Sequence, residues 1–235
     1  MVSFPPLGYE EAMAIDDSVT SGTGTNRARW KQDPEGVRAD ILAVALEEFS
    51  RNGLSGARMD DIAAKTRTSK RMIYYYFGDK DGLYRKALEA AYRKVRKGEE
   101  ELDLEHLPPK EALERLVEFT FDHHRKNPDF IRLVMIENIH HGRFLEQSDE
   151  IISLNQAAIS QIRNIYDKGV RDGVFRAGLT PLRIHWLISA ISFFNVSNAT
   201  TFSLLFGNDL QKEAGQACLS ADACQMVLKF VAKEN

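Results

Sequence analysis

The stretch Met59–Leu83, MDDIAAKTRTSKRMIYYYFGDKDGL, decides the fold of this chain. It predicts two short helices, at 60–65 and 70–76, joined by a tight turn at Thr66–Thr68. The second helix is basic at its start and aromatic at its end. A helix-turn-helix of this kind places its second helix in the major groove of DNA. The stretch therefore predicts a DNA-binding protein.

The start of the second helix carries side chains that suit contact with DNA. Ser69 fits the cap of this helix, since its hydroxyl can accept an N–H that the first turn leaves unpaired. Lys70 and Arg71 follow at the helix tip. From there they can meet a phosphate or the edge of a guanine.

The three consecutive tyrosines Tyr74–Tyr76 point in different directions, because neighbours on a helix lie about 100° apart. Ile73 and Phe77 are four residues apart and are expected in the core. Tyr74 and Tyr75 are then expected to project toward DNA, where a hydroxyl can bond to phosphate. The third tyrosine is left for packing.

The charge of the chain is divided unevenly. The net charge is −3 over 235 residues. Residues 27–97 hold 17 Lys+Arg against 10 Asp+Glu, whereas the rest of the chain holds 14 against 24. A basic module on an acidic body suits a protein that presents one end to a polyanion. The net charge of surface helices also varies in sign in proteins that bind no polyanion, so charge alone does not establish DNA binding.

The sequence predicts neither export nor a membrane span. The first thirty residues lack the apolar core of a secretory signal. Residues 184–208 carry no Asp, Glu, Lys or Arg, but nine of these 25 residues are Ser, Thr or Asn. We expect a helix buried between protein surfaces there. Cys218 and Cys224 match no metal motif or disulfide framework, so a cytoplasmic protein is expected.

Apolar periodicity predicts an all-α fold without strands of useful length. We expect a disordered tail at 1–30, a three-helix unit at 31–83, a connecting helix at 84–104 and a helical body at 105–235. The first helix should begin near Pro34 and stop at Asn52-Gly53. In the body, the spacing predicts helices at 110–126, 129–140, 149–171, 181–206 and 221–233.

Residues 37–83 resemble the N-terminal domain of TetR-family transcriptional regulators. The resemblance is carried by Asn52-Gly53, by Ile62-Ala63 and by the ending Ile73–Leu83. That ending matches the family pattern Leu/Ile-Tyr-x-Tyr/His-Phe-x-x-Lys-x-x-Leu and is specific. Two departures are visible: Thr66–Thr68 replaces the frequent Ala-Gly-Val of the turn, and Arg58 stands where the family often has Thr.

The resemblance implies a phosphate contact for Lys80, with a solvated lysine beside a helix cap as the alternative. An Arg at position 58 can also bind phosphate. The resemblance further implies a homodimer whose helical C-terminal domain, residues 105–235, binds a small molecule and dimerises through its last two helices. The predicted DNA-binding residues are Arg58, Thr68, Ser69, Lys70, Arg71, Met72, Tyr74, Tyr75 and Lys80.

Aromatic side chains of the body can line a pocket or fill a core, and the sequence does not separate the two. Polar side chains on apolar helices need partners, which a ligand, a water or a second subunit can supply. The residues expected to bind a ligand are Phe121, His124, Met135, Asn138, Trp186 and Phe193. Those expected at the dimer interface recur at spacings of three and four along two helices: Ile191, Phe194, Asn198, Phe202, Met226 and Phe230.

Metal, cofactor and catalytic sites are not predicted. His123-His124 and His140-His141 are neighbours on helices and point apart, so neither pair can chelate one ion. The sequence has no Gly-rich phosphate loop, no Gly-x-Ser-x-Gly and no carboxylates paired in an apolar setting. An enzyme is therefore the weaker hypothesis.

The sequence favours a homodimeric regulator, most often a repressor in this family. It should bind a palindromic operator in double-stranded DNA and be released by a small-molecule effector. A small, partly apolar effector, either a ring compound or a carboxylic acid, fits the candidate pocket residues. The alternative is a DNA-binding regulator without an effector, controlled by a protein partner or by its own concentration.

Overall fold

The computed structural model describes residues 33–233, and most of that range is helical. The ten α-helices are α1 (Pro34–Gly56), α2 (Met59–Lys65), α3 (Lys70–Phe77), α4 (Lys80–Glu100), α5 (Pro109–Lys126), α6 (Pro128–Ile139), α7 (Asp149–Arg171), α8 (Pro181–Ser197), α9 (Ala199–Phe206) and α10 (Glu213–Val231). Short 3₁₀ helices lie at Leu104–His106 and Asp209–Gln211. The prediction of an all-α fold is confirmed. The predicted tail at 1–30 lies outside the described residues.

Helix α1 begins and bends where its sequence requires. The Asp33 carboxylate accepts the N–H of Gly36 at 2.8 Å and caps the helix, with Pro34 in the first turn. Gly53 adopts φ +67°, a left-handed conformation that glycine tolerates and other residues do not. The predicted stop at this glycine is therefore a bend, after which one short turn reaches Gly56.

The core of helices α1–α4 continues into the body. Ile41, Phe49, Ile62 and Ile73 are fully buried in it. The same cluster includes Leu133, Phe144 and Ile151, which come from α6, from the segment after it and from α7. The helix-turn-helix is therefore packed directly against the C-terminal helices.

Two buried carboxylates fix the segment between α6 and α7. Glu137, 1% exposed, accepts the backbone N–H groups of Phe144 and Leu145, both at 3.1 Å. Glu89 of α4 accepts the Ser148 hydroxyl at 2.9 Å, and Ser148 caps α7. Buried carboxylates that receive hydrogen bonds in this way hold their segment in one position. The segment is thereby tied to α4.

The core of the body is formed by α5, α7, α8 and α10. The connection from α7 to α8 passes over this core and is held by Tyr166. The Tyr166 hydroxyl donates to the carbonyl of Arg176 at 2.9 Å and accepts the N–H of Leu179 at 3.0 Å. One side chain thus satisfies two backbone groups of the connection.

Two predicted helices of the body differ from the structure. The helix expected at 181–206 is divided at Asn198, where the Thr201 hydroxyl bonds to the Asn198 carbonyl at 3.1 Å. Local hydrogen bonds from Ser, Thr and Asn compete with a continuous helix. The last helix begins at Glu213, not at 221, and Gly215 lies within its first turn. A Cβ on Gly215 would lie 2.3 Å from the carbonyl oxygen of Asp209, so this glycine permits close packing.

The uncharged residues 184–208 lie mainly on α8 and α9. Among residues 33–233, no helix combines the length and the apolar character that crossing a bilayer requires.

Candidate DNA interface and ligand cavity

Helix α3 exposes one face and buries the other. The Ser69 hydroxyl accepts the N–H of Met72 at 3.3 Å, which is the cap that the sequence predicts. Ile73 is fully buried beneath the helix. Tyr74 and Tyr75 are exposed by 41% and 77%, so both hydroxyls can be reached by a large partner. A short capped helix with an exposed tyrosine face has the shape that the major groove admits.

Basic side chains surround the start of α3. Arg58 and Arg71 are exposed, whereas Thr68 and Met72 are half-buried. The Lys70 ammonium donates to the Asp60 carboxylate of α2 at 2.8 Å. This hydrogen bond raises the pKa of Lys70 and lowers the pKa of Asp60. A phosphate that binds Lys70 has to compete with this carboxylate.

Lys80 stands beside α3 at the first turn of α4. Its ammonium donates to the carbonyl of Ser55, just after the α1 bend, at 3.4 Å. Asp79 caps α4 by accepting the N–H of Gly82 at 2.7 Å, and this cap fixes where Lys80 emerges. The remaining tyrosine of the triplet packs, since the Arg38 guanidinium lies 5.0 Å from the centre of the Tyr76 ring.

A cavity of about 460 Å³ lies among α4, α5, α6 and α8. Four of the predicted ligand residues line it: His124, Asn138, Trp186 and Phe193. The other two do not. Phe121 is buried beneath a different surface groove, and Met135 packs against the cluster that contains Val95 and Phe130. A pocket of this size can enclose a small organic molecule.

Trp186 and Asn138 lie at the open side of this cavity. Trp186 is 70% exposed, which is unusual for so large an apolar side chain. Asn138 is also exposed, and its amide donates to the carbonyl of Val134 at 2.9 Å. Both side chains therefore border the entrance, while His124, 7% exposed, belongs to the inner wall.

The inner wall also contains polar residues that are not among the predicted ligand residues. They are Arg96 and Glu99 of α4, Thr120 of α5, Asn155 of α7 and His185 of α8. Arg96 donates through Nη1 to Glu99 and through Nη2 to Asn155, the latter at 3.1 Å. The spacing along α4 could have identified Arg96 and Glu99, because they follow Tyr92 by four and seven residues and so share its buried face. The many other charged residues of α4 obscure this pattern.

Burial controls the charge of the cavity. It lowers the pKa of His124 and of His185 to about 4, and the nearby Arg96 charge adds to the effect. Both imidazoles are therefore neutral near pH 7. Burial also raises the pKa of Glu99, a change that the Arg96 guanidinium opposes. Within residues 33–233, no cluster of His, Cys, Asp and Glu is arranged to hold a metal ion.

An apolar groove of about 610 Å³ runs along α8, α9 and α10. Five of the predicted interface residues line it: Ile191, Phe194, Asn198, Phe202 and Met226. Phe194 and Met226 are each 53% exposed. Phe230 lies elsewhere, between the guanidinium groups of Arg176 and Arg183, at 4.9 and 5.6 Å from its ring centre.

The all-helical fold and the capped, exposed second helix define a helix-turn-helix DNA-binding regulator. Comparison with known families agrees with this class. Residues 41–87 match the family model described as bacterial regulatory proteins, tetR family. Residues 109–227 match the tetracyclin repressor-like, C-terminal domain. The chain therefore belongs to the TetR family of transcriptional regulators.

Curated proteins with similar sequences are named as transcriptional repressors. The chain is 31% identical over 186 residues to the HTH-type transcriptional repressor NicS of Pseudomonas putida, an alignment that covers 79% of this chain and 88% of that protein. It is 35% identical over 113 residues to the HTH-type transcriptional repressor SCO4008 of Streptomyces coelicolor, covering 47% of this chain and 54% of the relative.

Solved structures show the same fold. The transcriptional regulator SCO4942 from Streptomyces coelicolor superposes with a TM-score of 0.60 at 26% identity, over 81% of this chain and 97% of that one. FadR from Bacillus subtilis, solved in complex with stearoyl-CoA, superposes with a TM-score of 0.62 at 18% identity, over 82% and 98% of the two chains.

Proposed function

We propose that this chain is a homodimeric repressor that binds a palindromic operator through α3 and is released by a small-molecule effector bound in the 460 Å³ cavity. The observation that carries this proposal is the position of α4. Its first turn holds Lys80 beside the recognition helix α3, and its later turns supply Tyr92, Arg96 and Glu99 to the wall of the cavity. One rigid helix thus joins the two sites.

The DNA-binding role is supported by the exposed face of α3. Arg71, Tyr74 and Tyr75 point away from the core, and Arg58 and Lys80 flank them. Arginine near the start of a recognition helix suits a guanine edge, whereas lysine and tyrosine suit phosphates. We assign base contact to Arg71 and Met72 and phosphate contact to Arg58, Tyr75 and Lys80.

Dimer formation is supported by the apolar groove. The groove has an apolar lining that includes three large exposed side chains, Trp186, Phe194 and Met226. An exposed apolar surface of this kind marks an interaction site in a protein that functions in water. A second copy of the chain, related by a two-fold axis, would cover it and set the two α3 helices about 34–36 Å apart, one turn of DNA.

Effector control is supported by the cavity and its contact with α4. A ligand can change operator binding only if it binds one arrangement of the two recognition helices better than the other. A ligand that moves α4 meets this requirement, because α4 carries the helix-turn-helix core through Leu83, Tyr84 and Leu88. The apolar cluster that contains these three residues also includes Leu133 of α6 and Ile151 of α7, so α4 packs against both helices.

A two-stage experiment tests the proposal. Gel-shift titration with DNA from upstream of the gene should give a specific complex with two chains per site. A thermal-shift screen of metabolites should then find a compound that raises the melting temperature, since ligands that bind only the folded state stabilise it. That compound should dissociate the complex. Specific DNA binding that no stabilising compound reverses would instead support control by a protein partner or by concentration.

A further inference from the structure

The Arg96–Glu99 ion pair separates two cavities. Both side chains line the 460 Å³ cavity, and both also line a second cavity, of about 610 Å³, bounded by α4, the start of α5 and α7. Arg96 is 9% exposed and Glu99 is 5% exposed. A buried ion pair is a poor means of stabilisation, because apolar residues of similar shape often serve as well. Its place between two cavities suits ligand recognition.

Arg96 uses only part of its hydrogen-bonding capacity. A guanidinium has five N–H donors. Nη1 donates to Glu99 and Nη2 to Asn155, while the buried Nε meets no acceptor among residues 33–233. The planar fork of an arginine matches the two oxygens of a carboxylate. Arg96 can therefore receive a carboxylate if Glu99 moves away.

We propose that the effector is an organic acid with a flat apolar body, whose carboxylate binds Arg96 in place of Glu99. The inference rests on the proposed function, since it names the ligand class for the same cavity. The apolar body is accommodated by the aromatic side chains that line the cavity: Tyr92, Phe130, Trp186 and Phe193. Thr120 and His185 supply further polar contacts.

An anion fits this site better than a cation because Glu99 can lose its charge and Arg96 cannot. An arginine keeps its charge at every accessible pH. Glu99 can take up a proton, and its burial already favours the neutral form. When the partners exchange, Glu99 becomes neutral and Arg96 needs a new negative charge. The neutral imidazoles of His124 and His185 do not supply one.

Replacement of Glu99 by the ligand carboxylate also affects the position of α4, which carries the DNA-binding module. The Arg96–Asn155 hydrogen bond joins α4 to α7. A carboxylate that takes two donors of Arg96 competes with Asn155 as well as with Glu99. Binding therefore loosens the contact between α4 and α7, and the other end of α4 carries the recognition helix.

The first test compares three probes of the same shape and different charge: naphthalene-2-carboxylate, naphthalene-2-carboxamide and naphthalene-2-carboxamidine. Calorimetry on the full chain should favour the carboxylate over the neutral amide by at least about tenfold, as for a hydrogen bond to a charged group. Arg96→Gln should remove this preference, whereas Lys97→Gln, which deletes a charge from the exposed face of α4, should keep it. Preference for the amidine, or no binding by any of the three, would overturn the proposal.

Glu99→Gln keeps the size of the side chain and imitates its protonated form. It should bind the carboxylate more tightly than the wild type, while Glu100→Gln, on the exposed neighbour, should not. The double variant Arg96→Gln/Glu99→Gln leaves no charge unpaired, so it guards against misfolding of the single variants. A folded double variant that still prefers the carboxylate would exclude Arg96 as its partner.

The pH dependence provides a separate readout. The charged or titratable groups around Glu99 are Tyr92, Arg96 and Glu100 of α4, His124 of α5, His185 of α8, Glu105 of the 3₁₀ helix, and Lys168 and Arg171 of α7. His124 and His185 titrate near 4 and stay neutral between pH 6 and 8. Glu99 is ionised in the ion pair and takes up a proton when the carboxylate binds, so carboxylate affinity should fall as pH rises, by up to about tenfold per unit. Glu99→Gln should give a flat profile. A flat wild-type profile would contradict the exchange.

Different results would refute the proposal of an organic-acid effector and the proposal of effector control. An uncharged or cationic compound that binds in the cavity and releases the operator would refute the organic acid and leave effector control intact. A carboxylate that binds through Arg96 without changing operator affinity would preserve the site chemistry and refute its role in release.

Discussion

At the scale of single residues, two lysines proposed to contact DNA have partners within the protein. Lys70 is paired with Asp60 and Lys80 is bonded to the Ser55 carbonyl. Both contacts are exposed, so a phosphate can replace them at small cost. The sequence predicted these lysines from their place in the motif, but the Asp60 contact depends on how α2 and α3 pack.

Lys80→Ala should weaken binding to all DNA sequences alike and reduce the slope of log affinity against log salt by about 1, because it removes one phosphate contact. Lys97→Ala, at the far end of α4, provides the control and should leave the slope unchanged. Fluorescence anisotropy across a salt series measures both. An unaltered slope for Lys80→Ala would mean that this lysine is only a solvated residue beside the cap.

Asp60→Asn should strengthen DNA binding, because it frees Lys70 and removes a negative charge from the interface. Asp61→Asn changes the neighbouring acid in the same first turn of α2 and should have the smaller effect. The same anisotropy titration compares them. Equal gains for the two variants would show that overall charge matters and that the Lys70 contact does not.

At the scale of elements, the helix-turn-helix could be predicted closely because its caps and its apolar spacing lie within a short stretch. Ser69 caps α3 where the sequence indicates. The break at Asn198 and the early start of α10 were missed, since both depend on local hydrogen bonds and close packing. Arg96 and Glu99 were missed because a charged residue on a helix is normally solvated, and only the tertiary fold buries this pair.

Gly53→Ala should lower the free energy of unfolding by about 1–2 kcal/mol, because φ +67° is unfavourable for a residue with a Cβ. No atom lies within 4 Å of the added Cβ, so the effect is conformational and not steric. Gly56→Ala is the matched control: its Cβ would meet only the Asn52 Cβ, at 3.4 Å, an ordinary contact. Denaturant unfolding of both variants checks this. Equal stability of Gly53→Ala and wild type would argue against the bend in α1.

Trp186→Ala should abolish the effector response and leave operator affinity nearly intact, because Trp186 borders the cavity and lies on α8, away from α3. Leu182→Ala, on an exposed residue one turn earlier that does not line the cavity, should respond normally. Effector titration of the preformed operator complex measures the difference. Trp186 also lines the apolar groove, so sedimentation velocity should first show that the variant is still a dimer. An unchanged effector response by a dimeric Trp186→Ala variant would exclude the cavity as the effector site.

At the scale of the whole molecule, the proposed dimer depends on the exposed apolar groove. Phe194→Glu should give a monomer, or an insoluble chain, without tight operator binding, since a charge cannot be buried unpaired in an apolar interface. Ile152→Glu alters an exposed apolar residue of α7 outside the groove and should remain dimeric. Sedimentation velocity decides between the two states. A soluble Phe194→Glu dimer would refute this interface.

The central claim is that two copies of the chain present two recognition helices to a symmetric DNA site. Selection of bound sequences from a pool of random DNA duplexes tests it directly, because the pool contains every candidate operator. We expect an enriched motif with two-fold symmetry, whose half-sites are centred about 10 base pairs apart or a multiple of that distance. Enrichment of a single asymmetric half-site, or no enrichment, would contradict the claim.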